Sequence, residues 1–391
     1  MYNLGPFLKE WGSRFRYYQL AISIFDKTRQ DFYFGHYHME ENDMNKTESQ
    51  VPSEVDKLRE VADVSKQANE RLKAGDTNAA KELFLKAYEM DDTNPYVLVG
   101  LGDIARKEKE FRRAITYYEK VIEREAYNVF ALRGIGIAYR GLEEYDKAIE
   151  YWEQYIDLNE EDYLVLTRLG DSCKKLGQYQ KAEKYYLKAL GSSEGDKYIY
   201  LGLGDLYYKM DEADKAIEFC DKLLAIDDKF INILTMVGNL YRRKREFINA
   251  LPYYERALKQ DPKNIYATFG VGDCRRGQGD IEGAIEWWEK IVAIDPKNLN
   301  TLARLGDAHL KAGNNTKAKK FYERATAIAD HKYAYMGLAK IYRLEGNHED
   351  AVKIYKQLLG REGMKEDRVL KELYETKQEL RAQEGGEKKE E

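Results

Sequence analysis

Gly102, Gly136, Gly170, Gly204, Gly238, Gly272 and Gly306 follow one another at intervals of 34 residues without a gap. Ala114, Ala148, Ala182, Ala216, Ala250, Ala284 and Ala318 keep the same spacing twelve residues later, and four residues beyond them stand Tyr118, Trp152, Tyr186, Cys220, Tyr254, Trp288 and Tyr322. A period of this length marks one supersecondary unit stacked on copies of itself, and it changes the meaning of every residue inside it. With each unit numbered so that the glycine is its eighth residue, apolar side chains recur at positions 4, 7, 8 and 11 and again at 20, 24 and 27. Both runs have helical spacing, so each unit is expected to be two short helices packed as an antiparallel hairpin. The small residues at 8 and 20 suit the point where the helices cross, and the aromatic at 24 fills the gap they leave. A single hairpin exposes apolar surface above and below, which only neighbouring hairpins can cover.

These columns, joined by Pro262 and Pro296 at position 32, resemble the tetratricopeptide repeat. The third unit shows them as Leu132, Ile135, Gly136, Tyr139, Ala148, Trp152 and Tyr155, and the sixth as Leu234, Val237, Gly238, Tyr241, Ala250, Tyr254, Ala257 and Pro262. Weaker copies retain Ala68, Ala80, Phe84 and Ala87 on one side and Leu338, Ala339, Tyr342, Ala351 and Tyr355 on the other. The resemblance implies an all-α, right-handed superhelical solenoid of nine helix-turn-helix repeats over residues 58–363, the eighth one residue short between Ala325 and Lys332. A capping helix is expected at 364–383, with Val369, Leu370, Leu373, Tyr374 and Leu380 on one apolar stripe, and a disordered tail at 384–391. Pro252, inside a second helix, predicts a kink or a shifted helix start. Residues 1–57 show no repeat columns and read as an aromatic-rich extension and polar linker. That segment admits three readings: an extension packing on the array, a start codon placed too early with Met44 as the true first residue, or an aromatic segment that binds a partner.

The remaining composition removes whole function classes. The 64 basic and 69 acidic residues interleave to a net charge of −5, without the clustered Lys and Arg excess that binding to nucleic acid requires. No run of about 18 apolar residues is present to cross a membrane. Lys9, Arg14 and Arg16 interrupt any secretory leader. Cys173, Cys220 and Cys274 are odd in number and widely spaced, which fits a reducing, cytoplasmic setting.

The resemblance further implies that positions 2, 5, 9, 12 and 13 of each first helix face an inner groove where a partner peptide lies. Position 9 carries Asp103, Ile137, Asp171, Asp205, Asn239, Asp273 and Asp307. Successive copies sit on different first helices, and helices pack about 8–10 Å apart, so these acids are too dispersed to share an ion or act as a catalytic pair. Basic residues three or four positions on suggest salt-bridged lining or polar contact with a peptide. Positions 2 and 5 hold Tyr96, Val99, Phe130, Arg133, Leu164, Thr167, Tyr198, Leu201, Tyr266, Phe269, Tyr333 and Met336, with Asn300 continuing the second position. Such an apolar and aromatic ladder suits peptide capture, or packing on the next repeat.

The clamp with which related domains hold a chaperone's terminal carboxylate is absent, since Thr235, Gly270 and Asn300 stand where it needs Lys, Asn and Lys. No catalytic or metal-binding set emerges. His309 falls on a core column, His331 and His348 lie near turns, His36 and His38 have no second cluster, and the thiols read as inert and buried. The expected function is a non-enzymatic protein-interaction scaffold without cofactor or metal. The alternative is a self-associating regulatory subunit of a larger cell-envelope, secretion or cell-cycle assembly.

Overall fold

The computed structural model describes the backbone of residues 54–360 and 367–387, and the side chains of 56–360 and 367–382. The aromatic-rich segment and most of the linker expected at 1–57, and residues 388–391 of the expected tail, lie outside the described residues. The chain divides into a unit Met1–Glu60 and a unit Val61–Glu391, and the account below concerns the second. Its described residues form helices and no strand.

Helices pair in chain order. The first repeat is α1 (Glu54–Lys73) with α2 (Thr77–Met90), the second α3 (Pro95–Lys107) with α4 (Phe111–Ile122), and the third α5 (Val129–Gly141) with α6 (Tyr145–Leu158). The fourth is α7 (Tyr163–Lys175) with α8 (Tyr179–Ser192), the fifth α9 (Lys197–Lys209) with α10 (Ala213–Ile226), and the sixth α11 (Ile231–Arg243) with α12 (Phe247–Gln260). The seventh is α13 (Ile265–Gly277) with α14 (Ile281–Ile294), the eighth α15 (Leu299–Lys311) with α16 (Asn315–Ile328), and the ninth α17 (Lys332–Leu344) with α18 (His348–Leu359), followed by α19 (Asp367–Glu387). Each hairpin packs on the next, which makes the unit an α-helical solenoid.

Local chemistry sets the helix boundaries. Most first helices start on a side-chain cap: Asn94, Asn128, Asp162, Asp196, Asn264 and Asn298 accept backbone N–H groups that would otherwise be orphaned. Where the eighth repeat is short, the connection into α17 shrinks to three residues and His331 supplies the cap, Nδ1 accepting the Ala334 N–H at 3.2 Å. The turn inside every hairpin places position 15 in the left-handed region. Glycine fills it at Gly75, Gly177, Gly279, Gly313 and Gly346, but Lys109, Glu143, Asp211 and Arg245 take it at φ of 60–62°, a conformation that costs a side chain about 1–2 kcal/mol. The helix start around Pro252 is not shifted: α12 begins at Phe247, in register with Tyr179 and Tyr145, and carries Pro252 in its interior.

The core contains a longer period than the glycines suggest. In the second, fourth, sixth and eighth repeats the ring at position 24 is a fully buried tyrosine. Each lies between the glycine at position 8 of its own repeat and one at position 6 of the next: Tyr118 between Gly102 and Gly134, Tyr186 between Gly170 and Gly202, Tyr254 between Gly238 and Gly270, Tyr322 between Gly306 and Gly337. A Cβ on either flanking glycine would overlap the ring. In the third, fifth and seventh repeats position 24 is Trp152, Cys220 or Trp288, and the next position 6 is Arg168, Met236 or Arg304. Those side chains keep successive first helices apart, whereas glycine brings them together. Accordingly α3 packs directly on α5, α7 on α9, α11 on α13 and α15 on α17. From the second repeat on, the structural unit is thus two repeats, 68 residues by the spacing of Gly134, Gly202 and Gly270; the first boundary departs from this, with Phe84 against Gly100 at position 6 of the second repeat.

A second seam joins the outer sides. Position 11 of the first helix stacks on position 23 of the second, as Tyr139 on Tyr151, Tyr207 on Phe219, Tyr241 on Tyr253 and His309 on Phe321, with centroids 5.4–5.7 Å apart. Tyr185 donates to Glu153 and Tyr253 to Asp221 of the preceding repeat.

The closing helix corrects the expected stripe. Val369, Leu373 and Thr376 are buried, while Leu370 and Tyr374 are 47% and 65% exposed. Residues 369, 373 and 376 share one face at helical spacing, and 370 and 374 lie about 100° further round. The backbone stays helical to Glu387, past the expected end at 383, despite two glycines.

Candidate functional site

Positions 2, 5, 9 and 12 share one side of each first helix by their spacing, and at two boundaries an ion pair crosses from position 12 of one repeat to position 9 of the next. Lys174 Nζ reaches Asp205 Oδ2 at 2.9 Å, and Arg242 pairs with Asp273. At the array's end Arg343, also at position 12, finds Glu372, Glu375 and Glu379 of α19 in place of a tenth repeat, at 2.6–3.1 Å.

Position 9 proves to be tied to position 24. The buried phenol donates to the residue at position 9 of its own repeat: Tyr118 to Asp103 Oδ1 at 2.8 Å, Tyr186 to Asp171 at 2.6 Å, Tyr254 to Asn239 at 2.8 Å and Tyr322 to Asp307 at 2.6 Å. Burial, reinforced by the carboxylate, pushes Tyr118, Tyr186 and Tyr322 far above an ordinary phenol. Where position 24 offers no phenol, cations take over. Burial pushes Asp205 up, but the hydrogen bond and charge of Lys174, helped by Lys209 at 3.4 Å, more than offset this and hold its carboxyl below the usual range. Asp273 is only 1% exposed and is gripped by Arg242 on one oxygen and Arg276 on the other. That burial removes Asp273 from the set of residues able to contact a partner. Over Trp152 position 9 is Ile137, and the indole N–H goes instead to the Arg133 carbonyl at 3.3 Å.

Position 2 is the exposed row. Tyr96, Phe130, Leu164, Tyr198, Tyr266 and Tyr333 are 40–78% exposed, interrupted by the exposed Asn232 and Asn300. Position 5 lies deeper: Val99, Arg133, Thr167, Leu201, Phe269 and Met336 are half-buried, and Ala303 is buried. Phe269 leans on Trp288 with ring centroids 6.2 Å apart, so it belongs partly to the core.

Chemistry elsewhere is sparse. Among the described residues no three His, Cys, Asp or Glu side chains gather to hold a metal, and no helix is long and apolar enough to cross a membrane. Burial pushes the Cys173, Cys220 and Cys274 thiols up to about 11, 12 and 11. His309 is buried against Phe321, and burial lowers its pKa.

Stacked helical hairpins, each completed by its neighbour, and an exposed row of large side chains along the first helices define a repeat solenoid of the protein-binding kind. Family models described as tetratricopeptide repeat match residues 65–129, 133–197 and 235–298, then 175–240 and 275–341, and finally 334–369. The chain belongs to the tetratricopeptide repeat family. Among curated proteins none matches it. Of similar solved structures, the C-terminal part of a tetratricopeptide repeat protein from Cytophaga hutchinsonii is 18% identical with a TM-score of 0.55, covering 61% of this chain and 99% of that one. A tetratricopeptide repeat protein from Parabacteroides merdae is 16% identical with a TM-score of 0.42, over 81% of this chain and 99% of that one. YrrB, described as having an unusual peptide-binding site, is 22% identical with a TM-score of 0.43, over 47% and 95%.

Proposed function

We propose that the protein is a non-enzymatic, cytoplasmic scaffold that holds an extended or helical segment of a partner protein along the first-helix face. The observation that carries this reading is the repeated exposure of one column: Tyr198, Tyr266 and Tyr333 stand 60%, 78% and 62% exposed at the same place on their repeats. Large aromatic side chains left in water at regular intervals and rimmed by charges are the composition of an interface. Tyr96, Phe130, Tyr198 and Tyr266 would supply contact area, with Val99, Thr167, Leu201 and Phe269 forming the floor. Arg133, Asp103, Asp171, Asp205, Asn239, Asn300 and Asp307 would set polarity and direction. Most of the acids spend one oxygen on a buried tyrosine, which leaves their other lone pairs for a backbone N–H.

The test is recovery of partners from native lysate by wild type and by Tyr198→Ala/Tyr266→Ala, with Ile248→Ala on a second helix as the comparison. A partner kept by wild type and Ile248→Ala and lost by the double variant, at unchanged helicity, supports the reading. Equal recovery by all three defeats it. The exposed Leu370 and Tyr374 on α19 favour a second reading, self-association through the closing helix. It predicts a concentration-dependent sedimentation coefficient that Tyr374→Glu abolishes.

A further inference from the structure

The third repeat is the seventh with its acid removed. In the seventh, Arg242 from the preceding repeat and Arg276 from the same one grip Asp273, with Trp288 at position 24. In the third, the equivalent positions are Arg106, Arg140 and Ile137, with Trp152 at position 24. The correspondence extends to the hydrogen bonds. Arg242 Nη2 meets Asn239 Oδ1 at 3.2 Å, and Arg106 Nη2 meets Asp103 Oδ1 at 2.9 Å. The other half of the Arg242 guanidinium binds Asp273, but among the described residues no second carboxylate pairs with Arg106.

Two further guanidiniums converge here, Arg133 on α5 and Arg168 on α7. Among the described residues no acid pairs with Arg133, Arg140 or Arg168, and Arg133 Nε and Arg168 Nη1 are buried without a hydrogen-bond partner, whereas Arg106 Nε only shares that state with Arg242 Nε of the seventh-repeat site. The nearby carboxylate, Asp162, is already used: Oδ1 caps α7 through Leu164 and Val165, and Oδ2 accepts the Tyr155 hydroxyl at 2.7 Å. Burial, and then the like charges of Arg133 and Arg140, hold Arg168 below an ordinary guanidinium. Gathering four guanidiniums about two carboxylates, Asp103 and Asp162, leaves an excess of like charge that costs free energy and that an anion from outside would relieve. Planar guanidiniums match a carboxylate in two-point geometry. Phe130 and Leu164, 46% and 43% exposed, stand at position 2 of the two repeats concerned.

We infer that this part of the first-helix face binds an acidic peptide segment, with one of its carboxylates between Arg106 and Arg140 as Asp273 lies between Arg242 and Arg276, and a second on Arg133 and Arg168. The inference rests on the proposed function in taking the same face as the partner surface, and it adds the chemistry of the partner. The twin site favours a carboxylate over a phosphate, because the same frame already holds one. Nothing in this register reproduces the chaperone clamp, which requires Asn where Ile137 stands.

The probe is a fluorescein-labelled, terminally blocked hexaglutamate titrated by anisotropy into the full chain, with hexaglutamine and inorganic phosphate as competitors. Hexaglutamate binding at least tenfold tighter than hexaglutamine is expected. Ile137→Asp, which rebuilds the seventh repeat's internal pair, and Arg168→Gln should each weaken it at least tenfold, while melting temperature stays within a few degrees. Should Ile137→Asp misfold, Arg168→Gln alone decides. Unchanged affinity in the folded variants, equal affinity for hexaglutamine, or displacement by phosphate as effective as by hexaglutamate overturns the inference. The two readings fail separately. If hexaglutamate ignores the arginines while Tyr198→Ala/Tyr266→Ala still loses its partner, only this inference falls. If the double variant keeps its partner while Ile137→Asp blocks hexaglutamate, only the aromatic column loses its role.

Discussion

The fourth and fifth repeats differ by one ring, and the difference sets how the array holds together. In the fourth, Tyr186 crosses the boundary between repeats: it fills the space left by Gly170 and by Gly202 and closes a hydrogen bond on Asp171. In the fifth, Cys220 reaches Gly204 of its own repeat, and the following position 6 is Met236. Two of the boundaries of the first kind also carry a position 12 to position 9 ion pair, Lys174 to Asp205 and Arg242 to Asp273. From the second repeat on, tight and loose boundaries therefore alternate, and a solenoid whose stability is a sum of neighbour terms should open at the loose ones first.

The largest effect should come from removing the bridging ring. Tyr186→Ala is expected to cost about 3–5 kcal/mol, the range for deleting a buried aromatic. Cys220→Ala, losing one sulfur atom, should cost about 1 kcal/mol. Denaturant unfolding with hydrogen exchange reads both. Loss of protection on both α7 and α9 in the tyrosine variant identifies the bridge, and equal costs would break the comparison.

Next is the glycine on the far side of that bridge. An alanine Cβ at Gly202 would overlap Tyr186, whereas at Gly204 the close contact would be Cys220 Sγ, at 2.7 Å. Overpacking costs about 1–3 kcal/mol, against which alanine returns about 1 kcal/mol of helix preference. Gly202→Ala should therefore lower the melting temperature by several degrees, and Gly204→Ala should leave it within a degree or two. A larger loss for Gly204→Ala would show that the ring gives way more easily than the thiol.

Much of this alternation stood in the sequence and was hidden by the period itself. From the third repeat on, Gly134, Gly202, Gly270 and Gly337 recur every second repeat, but a 34-residue alignment places them in one column with Gly100, Arg168, Met236 and Arg304, and the column reads as unconstrained. The glycine at position 8 and the alanine at position 20 were legible because every one of the seven clear repeats needs them small. The link between positions 9 and 24 was not, because fifteen residues separate Asp171 from Tyr186 and only the packed hairpin brings phenol to carboxylate. Position 9 therefore looked like solvated lining when half its bonding serves the core. Ile137 gave no signal alone, since its meaning depends on what Arg242 and Arg276 do to Asp273.

A smaller effect tests the phenol apart from the ring. Tyr186→Phe keeps the wedge and deletes the donor to Asp171, and should cost about 0.5–1.5 kcal/mol, the net value of one hydrogen bond. A cost as large as that of Tyr186→Ala would mean that the bridge works through the hydroxyl and that packing contributes little.

The smallest effect separates the two kinds of repeat by pH. Burial pushes the Cys220 thiol up to about 12, while an unfolded thiol titrates near ~8.5 and an unfolded phenol near ~10. Between those two values the unfolded chain releases thiol protons that the folded chain retains, so the folded state binds more protons and stability falls as pH rises. The contribution is intact below the unfolded thiol value and declines above it. By pH 9.0 the loss should amount to just under about 1 kcal/mol for Cys220, whereas the bridging tyrosines stay silent until the unfolded phenols begin to ionise. Unfolding free energies of wild type and Cys220→Ala at pH 7.5 and 9.0 isolate it: the wild type should lose more across that interval. Equal losses would place the alkaline sensitivity in Cys173 and Cys274, whose thiols burial pushes up to about 11, and would remove this distinction between the fifth repeat and its neighbours.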